Sequence, residues 1–208
     1  MFPLVILAAA ALGVVYLISR AAGVSFASPI TPSGEGLTGL ALVSPVPLGP
    51  ANISGAEFSR MAIIWPLIQA EAARNELDPA IVGGLISRET NTRNIMGDKG
   101  NGYGYMQIDG RYHSAFIASG KAMTPSYNIA YGTKFLASLF AKAKKAGLSG
   151  ILQTRAALAA YNGGPDQIEK AVHGSDPDTG TTYNNYSKDV LSRADSIRIH
   201  FLQSEINS

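Results

Sequence analysis

The chain has 208 residues, 46% of hydrophobic type and 15% charged, with 17 basic against 15 acidic side chains for a formal net charge of +2. Charges this sparse and balanced supply no basic field for phosphate backbones, which sets nucleic acid aside as a partner. The lack of cysteine removes disulfides and thiolate zinc sites, and His113, His173 and His200 show no metal-ligand spacing, so neither a metal nor another cofactor is expected.

Met1 to Ser19 carries no charged side chain, and Leu4 to Ile18 is almost wholly apolar. At about 1.5 Å per residue the run just spans a hydrocarbon core of roughly 30 Å, so residues 1–20 read as a single-pass transmembrane anchor. The alternative is a cleaved signal peptide, since Ser25 and Ala27 place small residues where a peptidase wants them. No Lys or Arg precedes the run and Arg20 closes it, which favours the anchor and a membrane contact through residues 1–19. With so few flanking charges the topology stays open. Residues 21–53 hold prolines at 29, 32, 45, 47 and 50 and a single charge, Glu35, and read as an extended linker. The globular domain is placed at residues 54–205.

Helical signals then take over. Ser54 followed by Glu57 fits a capping box, and the apolar residues from Phe58 to Ile68 predict a helix that Pro66 must bend or restart. Asp78 and Pro79 form a cap and first-turn pair opening a second helix, with Ile81, Val82, Leu85 and Ile86 on one face and its end near Glu89. Between Asn91 and Arg111 the helical period is lost. Glycines at 97, 100, 102, 104 and 110 alternate with aromatic residues and predict a loop and a short hairpin. After Thr124 and Pro125, a stripe of Ile129, Leu136, Leu139, Phe140 and Ala143 predicts a helix that Gly147 stops. Leu152, Ala156, Ala159 and Ala160 mark a small-residue helix for close packing. Tyr186, Val190, Leu191, Ala194, Ile197 and Phe201 mark a last one. The class is mainly α with a small β element.

Glu89 lies three residues after Ile86, four after Leu85 and seven after Val82, so it shares the buried stripe of its helix. Desolvation and the negative end of the helix dipole both raise the pKa of a carboxyl placed there. A carboxylic acid still protonated near pH 7 is what a glycosidic oxygen needs as proton donor. A bland reading competes: a Glu at a helix end that reaches solvent or pairs with Arg88 or Arg93. Asp98 and Asp109, in the adjoining glycine-rich stretch, are candidate bases, although Asp beside Gly is also ordinary turn chemistry. Tyr161 offers a hydroxyl to a sugar or to the acid, while Asn162 with Gly163 also fits a plain helix stop.

Together these segments resemble the goose-type lysozyme family, within the lysozyme-like superfamily that includes lytic transglycosylases. The likeness lies in Ile86-Ser87-Arg88-Glu89-Thr90, and in Gly97-Asp98-Lys99-Gly100-Asn101 running into Gly104-Tyr105-Met106-Gln107-Ile108-Asp109. It continues in Ala160-Tyr161-Asn162-Gly163-Gly164, Gly180-Thr181-Thr182 and Tyr186-Ser187-Lys188-Asp189-Val190-Leu191-Ser192-Arg193-Ala194. The first 53 residues lie outside it. The resemblance implies an α+β lysozyme-like fold, with a helical domain and a small hairpin beside the active-site cleft. It puts Glu89 in the place of the catalytic acid and Asp98 and Asp109 in those of the aspartates that hold the attacking water. It also makes Gln107, Tyr105, His113, Tyr161 and Asn162 substrate-groove residues. Two departures stand out: the segment from Glu89 to Asp98 is shorter than in the animal enzymes, and their cysteines are absent.

The activity so implied is inverting hydrolysis of the β-1,4 bond from N-acetylmuramic acid to N-acetylglucosamine by a monomeric catalytic domain acting on peptidoglycan strands. A lytic transglycosylase giving 1,6-anhydro-muramoyl ends is the alternative, and a non-catalytic peptidoglycan-binding envelope or virion protein is a third reading. The anchor would hold the domain facing the cell wall or periplasm, or in a virion membrane, and signal cleavage would leave it secreted.

Overall fold

In the computed structural model of the protein, residues 50–202 are described. The expected anchor at 1–20 and the linker as far as 49 lie outside them, and no described helix is long and apolar enough to cross a membrane. The described chain is mainly helical with a small three-stranded antiparallel sheet. It enters the fold before Ser54: Ala51 donates its N–H to the Ser192 carbonyl at 3.1 Å, and Ile53 is buried in the core.

Helix α1 spans Gly55–Arg74, and Ser54 caps it by accepting the Glu57 N–H at 3.2 Å. Only half of the expected capping box forms. The Glu57 carboxylate turns inward instead and accepts from Ser87 Oγ at 2.5 Å and Thr92 Oγ1 at 3.3 Å, tying α1 to a segment some thirty residues away in the chain. Nor does Pro66 restart the helix: α1 runs through it without a break. Both Pro66 and Ala62, whose carbonyl loses its partner, lie on the exposed face, where water replaces the missing hydrogen bond.

Helix α2, Pro79–Thr90, starts where the sequence places it, with Asp78 Oδ1 accepting the Ala80 N–H at 2.8 Å. It ends on Asn91 in the left-handed conformation, and Arg60 of α1 covers the Asn91 carbonyl from Nη2 at 2.8 Å. Val82, Leu85 and Ile86 have no exposed surface. Each such side chain contributes roughly 1.5–3 kcal/mol by burial, more than a cap gives, so packing fixes α2 in place.

The partner of α2 is the last helix, α7, Tyr186–Ile197. Gly84 permits their close approach, since a Cβ there would stand 2.5 Å from the Val190 carbonyl oxygen and 3.0 Å from the Ala194 nitrogen. Beyond α7 the chain continues as a wider turn, Arg198–Leu202, where Phe201 stacks on Trp65 at 4.6 Å.

Strands β1 (Met96–Gly97), β2 (Gly102–Tyr103) and β3 (Ile108–Asp109) form the sheet in that order, pairing Gly97 with Gly102 and Gly102 with Asp109. The expected hairpin therefore gains a third strand. Helices α3 (Ser114–Ala118), α4 (Pro125–Lys145), α5 (Gly150–Gly163) and α6 (Asp166–Val172) come next. The alanine-rich α5 packs Ala156, Ala157 and Ala160 closely against α4, whose Leu139 and Ala143 belong to the same cluster. Periodicity predicts neither α3 nor α6, which are five and seven residues long. Asn128 on α4 clips the sheet to the helices: its Oδ1 accepts the Met106 N–H at 3.0 Å, and its Nδ2 donates to the Tyr103 and Ala122 carbonyls.

Candidate active site

A cleft of about 890 Å³ runs between the sheet and helices α4 and α5, and Glu89 looks into it from the last turn of α2. Asp98, Gln107, Asp109, Arg111, His113, Tyr161, Asn162 and Thr182 line the same cleft. Of the residues singled out in the sequence, Tyr105 alone is missing from that lining. Its side chain packs against the main core, and its carbonyl accepts from Thr90 Oγ1 at 3.3 Å.

The local chemistry arises from burial. In the last turn of α2 the Glu89 carboxyl is pushed up from 4.5 to about 7, chiefly by desolvation. Two opposing effects keep the rise from going further: Tyr186 Oη donates a short hydrogen bond to Glu89 Oε1, and the adjacent Arg88 is positively charged. Arg88 is itself held by Asp189 of α7, with its Nε 2.9 Å from Asp189 Oδ2. Tyr186 is a residue that sequence reasoning assigned to the stripe of the last helix without a role at the acid. The contact spans ninety-seven positions of chain, and periodicity carries no signal of it.

Removing the Tyr186 hydroxyl takes away a donor that favours the ionised acid. Tyr186→Phe should therefore raise the Glu89 pKa and move the basic limb of the kcat/KM profile above its wild-type position near pH 7. A series of initial rates against pH on a soluble glycan substrate checks this, and an unmoved limb would separate Tyr186 from the acid.

The two aspartates come from the sheet and its first turn, Asp109 ending β3 and Asp98 following β1. Asp98 sits in a tight turn at φ 44° with Lys99 at 54°, both in the left-handed region that costs a non-glycine residue about 1–3 kcal/mol and recurs at functional sites. Arg111 reaches both carboxylates, with Nη2 2.7 Å from Asp98 Oδ2 and Nε 2.9 Å from Asp109 Oδ1. The guanidinium holds the Asp109 carboxyl below the usual range.

The glycines of this stretch serve the protein's own packing. Gly97 and Gly102 leave the space that the Gln107 amide fills, and a Cβ at either would collide with Gln107 Oε1. Gln107, at φ 46°, then donates Nε2 to the Ile95 and Gly104 carbonyls and pins the sheet.

On the helical wall, Tyr161 Oη donates to the Met106 carbonyl at 2.8 Å, and burial pushes the phenol well above its ordinary pKa, so it remains a neutral hydroxyl. Asn162 Oδ1 accepts from the Thr182 N–H at 2.9 Å and from its hydroxyl at 3.1 Å, and the amide NH₂ of Asn162 has no hydrogen-bond partner among the described residues. His113 shares a hydrogen bond with Tyr131 Oη at 2.9 Å, and burial lowers its pKa, which favours a neutral ring. Among the described residues no cluster of side chains could hold a metal. The arrangement brings an acid whose pKa is raised to about 7 and two carboxylates held by one guanidinium into the lining of a single cleft, beside the amides of Gln107 and Asn162 and the hydroxyl of Tyr161.

Comparison with known proteins fits this geometry. A family model described as Lysozyme g matches residues 50–200. Lysozyme g of Casuarius casuarius is 33% identical over 155 residues, covering 72% of this chain and 80% of the relative. Lysozyme G of Dromaius novaehollandiae is 32% identical over 130 residues, and the chain spans 60% of that relative's length. A solved structure, the 70 kDa soluble lytic transglycosylase of Escherichia coli, superposes with a TM-score of 0.52 over 65% of this chain and 24% of its own. At 17% identity that likeness is one of fold.

Proposed function

This chain belongs to the lysozyme g family, and on that premise we propose that it hydrolyses the β-1,4 bond between N-acetylmuramic acid and N-acetylglucosamine in peptidoglycan, with inversion at the anomeric carbon. The observation that carries the reading is a half-buried acid, Glu89, with its pKa raised to about 7, lining one cleft with the carboxylates of Asp98 and Asp109. Glu89 gives its proton to the bridging oxygen as the glycosidic bond breaks. A water on the opposite face attacks the anomeric carbon and passes a proton to Asp98 or Asp109, the arrangement an inverting glycosidase needs. Gln107, His113, Tyr161 and Asn162 line the groove that the glycan strand would occupy. No step calls for a metal or an organic cofactor.

The wider layout is part of the same proposal. Residues 1–20 hold the membrane, the proline-rich stretch acts as a tether, and the domain to residue 205 reaches the wall as a monomer. The third reading, a groove that only binds, does not explain a desolvated acid aimed into it, because burying such a group costs energy that a passive groove has no reason to spend.

Product chemistry tests the reaction. Mass spectrometry of fragments released from purified peptidoglycan should show reducing N-acetylmuramic acid ends, with the α anomer first in a time-resolved NMR spectrum. Fragments lighter by one water, carrying 1,6-anhydro ends, would make the protein a lytic transglycosylase and remove the base from the mechanism.

A further inference from the structure

Arg111 treats the two aspartates unequally. Its backbone N–H and its Nε donate to Asp109 Oδ1 at 2.8 and 2.9 Å, while Nε and Nη2 approach Asp109 Oδ2 at 3.1 and 2.5 Å. Asp109 thus spends both oxygens on a single residue. Asp98 gives only Oδ2 to the guanidinium, at 2.7 Å, and its Oδ1 has no hydrogen-bond partner among the described residues. Both carboxylates line the cleft that Glu89 enters.

A proton acceptor needs a free lone pair, and a carboxylate wrapped by a guanidinium is a poor base because the cation stabilises its ionised form. Two like-charged carboxylates at one wall repel each other, and the shared cation offsets that repulsion. Resting on the glycosidase reading above, we infer that Arg111 is a positioning residue that divides labour between the aspartates: it locks Asp109 as a fixed counter-charge and leaves Oδ1 of Asp98 to take the proton from the attacking water. The Asp98 side chain leaves the backbone from a left-handed turn, and the Arg111 bond to its Oδ2 holds the carboxylate there.

In the resulting step the water oxygen bonds to the anomeric carbon and one water proton moves to Asp98 Oδ1. The bond to the leaving sugar breaks, and its electron pair takes the proton of Glu89. Glu89 ends ionised and Asp98 protonated, and exchange with solvent resets both. The other charged or titratable groups near the pair are Tyr112 and His113, which line the cleft, and Lys99, which comes after Asp98 in the chain.

The test uses the full chain in four variants, with folding of each checked by circular dichroism. Asp98→Ala should lose kcat by roughly 10²–10⁴-fold, the ordinary contribution of a general base. Added azide should recover turnover, because an anionic nucleophile needs no base, and the product should be a glycosyl azide of inverted configuration. Asp109→Ala should gain nothing from azide. Arg111→Gln should lower kcat with KM little changed and shift the acidic limb of the pH profile upward, and Arg111→Lys should return part of that shift. Azide rescue of Asp109→Ala, rescue of neither variant, or an unmoved acidic limb in Arg111→Gln overturns the inference. Failure of the glycosidase reading would look different: the wild-type chain would then release no reducing ends in the same assay.

Discussion

Glu89→Gln is expected to bring wall lysis down to background while the protein still binds glycan strands and gains stability at neutral pH. The substitution preserves shape and removes the proton. A positioned general acid contributes typically 10²–10⁴-fold, and here no other cleft group can replace it: Tyr161 and Tyr186 hold their protons even more tightly than ordinary phenols. The stability gain is a matter of linkage. An acid whose folded pKa is raised favours the folded state while protonated, so its contribution is full below about 4.5 and falls as pH rises through about 7. Across that gap the native acid loses about 3 kcal/mol, which the amide variant does not. Urea titrations at pH 4 and pH 8 should therefore show the variant's advantage only at the higher pH. Lysis at the wild-type rate would end the enzymatic assignment, and equal stability at both pH values would mean that the acid is not desolvated.

How much of this was legible in the sequence depends on the range of each interaction. The start of α2 at Asp78 and Pro79 and the stripe of Val82, Leu85 and Ile86 are local signals, and they placed Glu89 at the end of a buried face. That placement predicts the direction of its pKa shift, and desolvation is the largest cause of it in the structure. Local rules misled where distant partners compete. Ser54 and Glu57 spell a capping box, yet Ser87 and Thr92 draw the Glu57 carboxylate into the core. Pro66 spells a break, but its position on the water-facing side of α1 makes the lost hydrogen bond cheap. Gly97 and Gly102 predict a loop and hairpin, and nothing local tells that the space they leave is filled by Gln107. Tyr105 alternates with groove residues in the sequence but packs against the core. Nothing local reveals that Arg111 joins Asp98 to Asp109 or that Tyr186 meets Glu89, because both depend on how the sheet and α7 fall around α2.

That dependence makes the support of α7 as consequential as the acid. Asp178 is fully buried and accepts the Ser187 N–H at 2.7 Å, the Ser187 hydroxyl at 2.8 Å and Arg155 Nη2 at 3.2 Å. Arg155, itself buried on α5, also bonds Asp176, which in turn holds Lys188 at 2.8 Å. The loop carrying Thr182, and the first turn of α7 carrying Tyr186, are thus fastened to α5 through buried charge. Asp178→Ala leaves the Ser187 N–H unpaired in a low-dielectric site and Arg155 with Asp176 as its remaining carboxylate, a change that costs about 1–3 kcal/mol. Against a typical total of about 5–15 kcal/mol this is a large share, and chemical denaturation should show it directly. An apolar replacement of both partners is a different matter, since well-packed hydrophobic residues often equal or exceed a buried ion pair in stability. The double variant Arg155→Met with Asp178→Leu should therefore regain much of the lost stability. It should not regain the wild-type pH profile, because apolar packing does not fix the register of the loop or hold Tyr186 Oη on Glu89, and the basic limb should stay displaced upward as in Tyr186→Phe. Recovery of both stability and pH profile in the double variant would reduce the buried pair to a packing element and leave the placement of Tyr186 to α2 and α7 alone.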